Sequence, residues 1–365
     1  MLQAGMRLAV LGPSLDFGKG SYILKSLAQG LSLLNSDIEV YPIGYNDIVL
    51  GLRDVYSHFP AMYNAVFPKV YNLSFRRGFK HVRLFSERYS FVKYVLKNFD
   101  CLLLSVTALS YLGVIELIKH RFPMILWDID SPNLPYAEYS QYLSNGRYLL
   151  LCYSKGGCEL WSKYGVNTIF FPLACDTNMF YPIKGSKKII DILFTGRYLR
   201  DRENGYRIYL YPLIRRFHKS VVIVGSGWTD NPNVKDARII PGIPYTLLNK
   251  FYNMAKVCIN IHRDNARECH TALNLRTFEV LGSGQLLISD RVIGIDELFD
   301  VGKEVIVCDD GNEFLNNVEK YLLDDKARQR IAEAGYNKVI QSHTIIHRAK
   351  KLQEIIEGVF HSKIG

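Results

Sequence analysis

The chain has no Cys-x-x-Cys pair, and its seven cysteines are an odd number scattered from Cys101 to Cys308. Zinc knuckles, thioredoxin-type centres and a disulfide framework are set aside on that ground. Buried free thiols in a reducing cytosol are the reading that remains, and the expected location is cytoplasmic. No opening stretch has the charged, apolar and small-residue layout of a secretion signal. Long apolar runs are also scarce. The most apolar window, Cys101 to Ile118, carries Ser105, Thr107, Ser110 and Glu116. It reads as a strand followed by a helix rather than as a bilayer span. There is no internal repeat and no low-complexity tract. Acidic residues are in short supply, since 35 Asp and Glu face 45 Lys and Arg, a net charge of +10. That excess favours an acidic partner: a phosphate-bearing ligand, a nucleic acid or an anionic membrane touched from one side.

What is present is an ordinary globular composition, 48% hydrophobic and 22% charged, in 365 residues, enough for two domains. Short aliphatic runs alternate with helix-like stretches. Strands are expected at Arg7–Leu11, Ile38–Ile43, Cys101–Val106, Met124–Asp128, Tyr148–Tyr153 and Thr168–Phe171. A second set follows at Asp191–Thr195, Val221–Val224, Arg238–Ile240, Val257–Ile261, Leu286–Ser289 and Val305–Cys308. Helices are expected at Gly20–Leu34, Gly205–Phe217, Tyr245–Met254 and Leu315–Leu323, with a last one at Thr344–Phe360. Continuous apolar strands separated by helices predict α/β architecture with parallel sheets. The break falls in the Pro-, Gly- and Lys-containing stretch Pro172–Lys188, giving domains at 1–174 and 175–343 and a terminal helix at 344–365. Two doubly wound halves joined once leave a cleft, and ligands of such sheets bind beyond the strands' carboxyl ends.

Residues 44–99 break the rhythm. Within them Pro68–Phe99 holds eight basic residues and one acid, so it supplies +7 of the net charge, and aromatics are interleaved throughout. Arg76, Arg77, Lys80, Arg83 and Arg88 are the candidate partner surface, for an anionic polymer, a membrane face or stacked nucleic-acid bases. A solvated helical insertion with inward-facing aromatics is the competing reading.

Several turns carry chemistry. Gly12-Pro-Ser-Leu-Asp-Phe-Gly18-Lys19-Gly20 follows the first strand, but it has five residues between its glycines and no Ser or Thr after Lys19, so it is not a P-loop. It remains a strand-to-helix turn that lets a ligand approach the backbone, or simply a tight turn. Gly225-Ser-Gly227-Trp228 follows another strand and can admit a flat base beside the main chain. Asp128-Ile-Asp130 ends a third; the pair can hold a divalent cation, supply a general base, or make a turn with Ser131 and Pro132. In Asn274-Leu-Arg276-Thr-Phe-Glu279-Val-Leu-Gly282, Arg276 and Glu279 share a helix face. A carboxylate there can bind ribose hydroxyls while an arginine neutralises a diphosphate, and a solvent-facing Arg–Glu pair fits the spacing equally well.

Asn274–Gly284, continued by Gln-Leu-Leu-Ile-Ser-Asp-Arg291, resembles the nucleotide-sugar signature of GT-B glycosyltransferases, most of all the CgeB-like, spore-maturation-type group of the glycosyltransferase group 1 superfamily. Phe194-Thr-Gly196-Arg197 with Asp201-Arg-Glu-Asn204, Phe171–Asp176, Gly225–Trp228, Ile259-Asn-Ile-His-Arg263, Ile331–Gly335 and His343-Thr344 with His347-Arg348 match in order, over about residues 124–355. The resemblance implies two Rossmann-like doubly wound domains facing a central cleft, with a nucleotide-diphospho-sugar, a UDP-sugar in the first instance, as co-substrate in the second domain. It implies no other cofactor and no bound metal. Glu279 would hold the ribose, and Arg276, Arg197 and Arg263 would face the diphosphate. Gly12, Gly196, Gly225, Gly227, Trp228 and Asn274 would complete the donor site, and the last helix would cross back onto the first domain. Many members carry a second glutamate eight positions before the ribose glutamate; here Thr271 stands there, so sugar recognition differs. Asp128 or Asp130 is the candidate base. A sugar-nucleotide epimerase or phosphorylase on the same scaffold is the alternative within enzymes, and a non-catalytic nucleic-acid-binding or structural protein the alternative from another class.

Overall fold

Aliphatic runs buried on both sides pair only with parallel neighbours here. They form two six-stranded sheets, one in the order Ile38–Gly44, Met6–Gly12, Cys101–Ser105, Met124–Asp128, Tyr148–Cys152, Thr168–Phe170 and the other in the order Ile306–Cys308, Leu287–Asp290, Ala255–Asn260, Ile190–Thr195, Val221–Val224, Arg238–Ile240. The computed structural model describes residues 6–12, 19–34, 38–44, 97, 100–105, 123–134, 136–143 and 148–361. The segment that holds Arg76, Arg77, Lys80, Arg83 and Arg88 lies outside the described residues.

The first lobe contains β1 (Met6–Gly12), α1 (Lys19–Leu34), β2 (Ile38–Gly44), β3 (Cys101–Ser105) and β4 (Met124–Asp128). Then come α2 (Tyr136–Leu143), β5 (Tyr148–Cys152), α3 (Lys155–Ser162) and β6 (Thr168–Phe170). The second contains β7 (Ile190–Thr195), α4 (Tyr211–Phe217), β8 (Val221–Val224), β9 (Arg238–Ile240) and α5 (Leu248–Met254). It continues with β10 (Ala255–Asn260), α6 (Leu275–Gly282), β11 (Leu287–Asp290), β12 (Ile306–Cys308), α7 (Gly311–Leu323), α8 (Asp325–Ser342) and α9 (Ile345–His361). The architecture is α/β with two parallel-sheet, Rossmann-like lobes.

Two expected helices differ at their starts for identifiable reasons. The stretch expected at Gly205–Phe217 opens with a π turn, Tyr206–Leu210, before α4. Pro212 has no N–H to offer the carbonyl four residues back, so the turn there widens. Helix α7 begins at Gly311 instead of Leu315 because Asp310 caps it, accepting from the N–H of Asn312 (2.8 Å) and of Glu313 (2.9 Å).

The chain passes between the lobes twice, and the two crossings are tied together. Cys175 N–H donates to His343 O (2.8 Å) and Ile345 N–H to Cys175 O (2.9 Å). After the second crossing α9 lies along α1. Gly30 lies in that contact, where a Cβ would be a tight fit, 3.1 Å from Ala349 Cβ and from Ile345 Cγ2. Arg263, just past β10, reaches Asp130, just past β4, at 2.9 Å. The carboxyl ends of the two sheets therefore face each other.

Candidate active site

Strand β7 ends at Thr195 and the chain turns at Gly196, whose φ of +148° suits glycine. The turn is pinned on both sides. Gly196 N–H donates to Val224 O (2.8 Å), and its carbonyl accepts from Trp228 Nε1 (2.7 Å). Trp228 is wholly buried between Phe194, Tyr198 and Tyr206. It was expected to border the donor, and instead it holds the Gly196 turn from the core side. Gly225 is adjacent: a Cβ on it would run into the Gly196 carbonyl. Gly227, with φ +80°, would meet Tyr198 Cβ at 3.3 Å.

Two guanidinium groups converge on this turn. Arg276, in the first turn of α6, is buried. Its Nε donates to Thr195 Oγ1 (3.1 Å), its Nη1 to Asn260 Oδ1 (2.6 Å), and it lies 4.7 Å from the centre of the Phe194 ring. Its Nη2 would be 2.6 Å from a Cβ at position 196, and Arg202 Nη1 would be 3.7 Å from the same point. Arg202 Nε is buried with no hydrogen-bond partner. Burial, together with the nearby charge of Arg276, pulls the Arg202 guanidinium down to about 10. Arg263, near enough to Arg202 for their charges to interact, is paired with Asp130 at 2.9 Å and with Asp201 at 3.1 Å. Among the described residues Arg202 and Arg276 have no carboxylate partner. Positive charge gathered without a counter-ion, at a backbone turn with no side chain in the way, is an arrangement that can receive an anion.

Sequence reasoning assigned no role to Arg202, Thr195, Asn260, Tyr245 or Tyr252. Arg202 lies between two acids in the stretch Asp201–Asn204. Arg197 is exposed. Asn274 caps α6 and exchanges hydrogen bonds with Asn260 at 3.0 and 3.1 Å. Gly12 ends β1 in register with Gly44, and residues 13–18 beyond it lie outside the described residues.

Glu279 sits one turn further along α6 and is buried. Its two oxygens accept from the hydroxyls of Tyr245 and Tyr252, the latter at 2.9 Å, and Tyr252 Oη is also 3.1 Å from Thr195 Oγ1. The solvent-facing Arg–Glu pair weighed for positions 276 and 279 is excluded, since both side chains are interior.

The two aspartates after β4 have different surroundings. Asp128 is fully buried. Its Oδ1 accepts from the N–H groups of Asp130 and Ser131 (both 3.0 Å), and its Oδ2 from the Ser131 hydroxyl and Trp161 Nε1 (2.8 Å). A carboxylate so engaged holds the turn and has no open face for a substrate proton. Asp130 is on the far side of that turn with 43% of its side chain exposed, against Arg263 of the other lobe. Burial raises its carboxyl from the ordinary 3.8 more than Arg263 lowers it. The described residues hold no group of three or more His, Cys, Asp or Glu side chains arranged for a metal. No described helix is long and apolar enough to cross a membrane.

Two Rossmann-like lobes whose carboxyl ends face a cleft, with cations at the first turn of the second lobe, make up the GT-B architecture of glycosyltransferase structures. Residues 202–354 match a family model described as glycosyl transferase-like. Among solved structures the chain is similar to sucrose-phosphate synthase from Thermosynechococcus elongatus, with 11% identity, a TM-score of 0.67, and coverage of 98% of this chain and 100% of that one. It is also similar to Anabaena HepE in complex with UDP-glucose, with 10% identity, a TM-score of 0.67, and 97% and 100% coverage. T4 phage BGT in complex with UDP and Mn2+ aligns with 12% identity, a TM-score of 0.62, and 97% and 99% coverage. Among curated protein sequences none matches significantly.

Proposed function

We propose that this chain is a glycosyltransferase that moves a sugar from a nucleotide-diphospho-sugar, a UDP-sugar first, to an acceptor met from the first lobe. The observation that carries the reading is the convergence of Arg202 and Arg276, neither with a carboxylate partner, on Gly196. Breaking a sugar–phosphate bond leaves negative charge on the departing diphosphate. Fixed guanidiniums answer it without rearrangement. The family model over 202–354, the UDP-bound relatives by fold and the CgeB-like motif at Asn274–Arg291 agree with this chemistry. Glu279 is the ribose ligand in this reading, and a ribose hydroxyl would take the place of a tyrosine hydroxyl on it. Of the two aspartates Asp130 is the candidate base for an inverting transfer, because Asp128 is fully used inside its turn.

The test is titration calorimetry with UDP-glucose, UDP and uridine, with and without EDTA. UDP should bind more tightly than uridine, and Arg276→Ala should erase most of that difference while leaving the fold intact. EDTA should change neither result, since the cations are arginines; loss with EDTA and recovery with Mn2+ would overturn the metal-independent form of the proposal. Equal affinity for UDP and uridine in the wild type would overturn the donor site itself. UDP release that requires an added acceptor separates a transferase from an epimerase or phosphorylase.

A further inference from the structure

Asp290, the last residue of β11, is a carboxylate with no exposure at all. Both its oxygens accept from the backbone N–H of His262, at 3.1 and 3.0 Å, and its Oδ1 lies 2.7 Å from His262 Nδ1. An ionised carboxylate only accepts, so Nδ1 carries the imidazole proton, and in the neutral ring Nε2 is left as an acceptor. Facing Nε2 at 3.3 Å is Asn260 Nδ2.

The orientation of the Asn260 amide decides what Arg276 meets. With Nδ2 toward His262, Oδ1 faces Arg276 Nη1 at 2.6 Å. Reversed, the amide would set its own N–H groups against a buried guanidinium, donor against donor. Most neighbours of Asn260 do not choose between the two. The paired bonds with Asn274 survive if both amides turn together, and the Thr277 hydroxyl, 3.1 Å away, can donate or accept. Two groups do choose: Thr277 N–H on Asn274 Oδ1, long at 3.4 Å, and the fixed lone pair of His262 Nε2.

We propose that Asp290 and His262 are positioning residues for the donor site. They fix the Asn260 amide, which aims the Arg276 guanidinium at the turn where the diphosphate would bind. Neither residue reaches the cleft, His262 being 1% exposed and Asp290 fully buried. The proposal rests on Arg276 being the diphosphate ligand.

Three variants separate aiming from mere support of β10 and β11. His262→Asn keeps a donor near Asp290 but cannot reach Asn260. His262→Gln can place an amide oxygen where Nε2 was. Asp290→Asn keeps the volume but can offer an N–H to Nδ1, which pushes the ring proton to Nε2 and opposes the Asn260 amide. UDP and uridine affinities are measured by calorimetry beside thermal midpoints. His262→Asn and Asp290→Asn should lose UDP affinity about ten-fold with uridine binding unchanged, as for a charged hydrogen bond put out of aim. His262→Gln should recover most of that loss. Support of the strands alone predicts the reverse order, with His262→Asn the milder change, and that order overturns the proposal; UDP affinity at the wild-type level in Asp290→Asn overturns it too, and serves if His262→Asn fails to fold. A second reading needs no nucleotide. The Arg276 Nε–H resonance, assigned by its loss in Arg276→Ala, should exchange slowly in wild type and His262→Gln and fast in the other two. Equal exchange in all of them sinks the relay even if UDP binds. Absent UDP binding with the exchange pattern intact sinks the donor reading and leaves the relay standing.

Discussion

The joint between the lobes should be acid-labile, and His343 is the reason. Its ring is packed against Phe299 and Phe278 with centroids 5.0 and 5.7 Å away. Nε2 lies 3.2 Å from Leu298 O and so carries the proton, while Nδ1 lies 3.1 Å from Arg348 Nη2 and accepts. The same Arg348 holds the carbonyls of Pro172 (2.7 Å) and Leu173 (3.1 Å) in the first crossing. A second ring proton would point at that guanidinium. Burial first, then the Arg348 charge, push the imidazole from 6.5 down to about 3. An unfolded chain takes up this proton near pH 6.5 and the folded one refuses it. The stabilisation is therefore complete above that pH and is lost as pH falls toward 3, at about 1.4 kcal/mol per unit. Between pH 6.5 and 4.5 the loss comes to about 3 kcal/mol. Urea denaturation at pH 7 and pH 4.5, for wild type and His343→Gln, isolates it, because the amide can keep the Leu298 bond and has no proton to gain. Wild type should lose about 3 kcal/mol more than the variant across that interval. Equal losses would refute the reasoning, whatever the variant's stability at pH 7.

Three further outcomes are expected. If Asp130 is the base, UDP release from UDP-glucose should fall as pH drops through a point above the ordinary aspartate value of 3.8, because burial raises its carboxyl. That acid limb should vanish in Asp130→Asn, and a limb that persists would assign the base elsewhere. Gly196→Ala puts a methyl 2.6 Å from Arg276 Nη2, so UDP affinity should fall while uridine affinity holds, and calorimetry showing normal UDP binding would contradict the site. Tyr252→Phe leaves a Glu279 oxygen and the Thr195 hydroxyl without a shared partner in a buried place. It should cost about 1–3 kcal/mol in urea denaturation, and a cost near zero would show that the network is not holding Glu279.

The sheets were legible because burial on both faces leaves an apolar run that hardly any other element produces. All the expected strands are present within two residues of their ends. The α7 start was readable too, from Asp310 before the apolar period, yet the periodicity alone begins four residues late. The site was harder to read. Asp128 and Asp130 are two apart, which in a continuing strand would put them on one face. The strand stops at Asp128 because its own carboxylate draws back the next turn's N–H groups, and that hydrogen bond separates a turn-holder from a cleft residue. Asn260 and His262 did leave a trace: two polar residues in alternation at the carboxyl end of a buried strand, where an apolar pair costs nothing. Arg202 left none. Its role depends on which neighbours fail to meet it, and Asp201 and Glu203 beside it in sequence turn to Arg263, and to Arg207, Tyr198 and Tyr211.

The unpaired cations set a further condition on how this protein behaves without ligand. A buried donor with no partner costs the folded state about 1–3 kcal/mol, more when it is charged. Arg202 Nε is such a donor, and the neighbouring Arg276 adds like-charge repulsion that pulls the Arg202 guanidinium down. The second lobe, though well packed, tolerates this at the mouth of β7 and nowhere else among its described arginines. Arg328, more deeply buried, has Asp325 and the Tyr321 carbonyl. An arrangement that is unfavourable alone is kept where an anion completes it, so the anion and the fold must be thermodynamically linked. UDP should then raise the midpoint of the second lobe's unfolding far more than uridine at equal saturation. In Arg202→Met the ligand-free protein should be as stable as wild type or more so, while losing most of the gain from UDP. A variant that is both less stable empty and equally stabilised by UDP would mean that Arg202 is supporting the fold rather than waiting for charge.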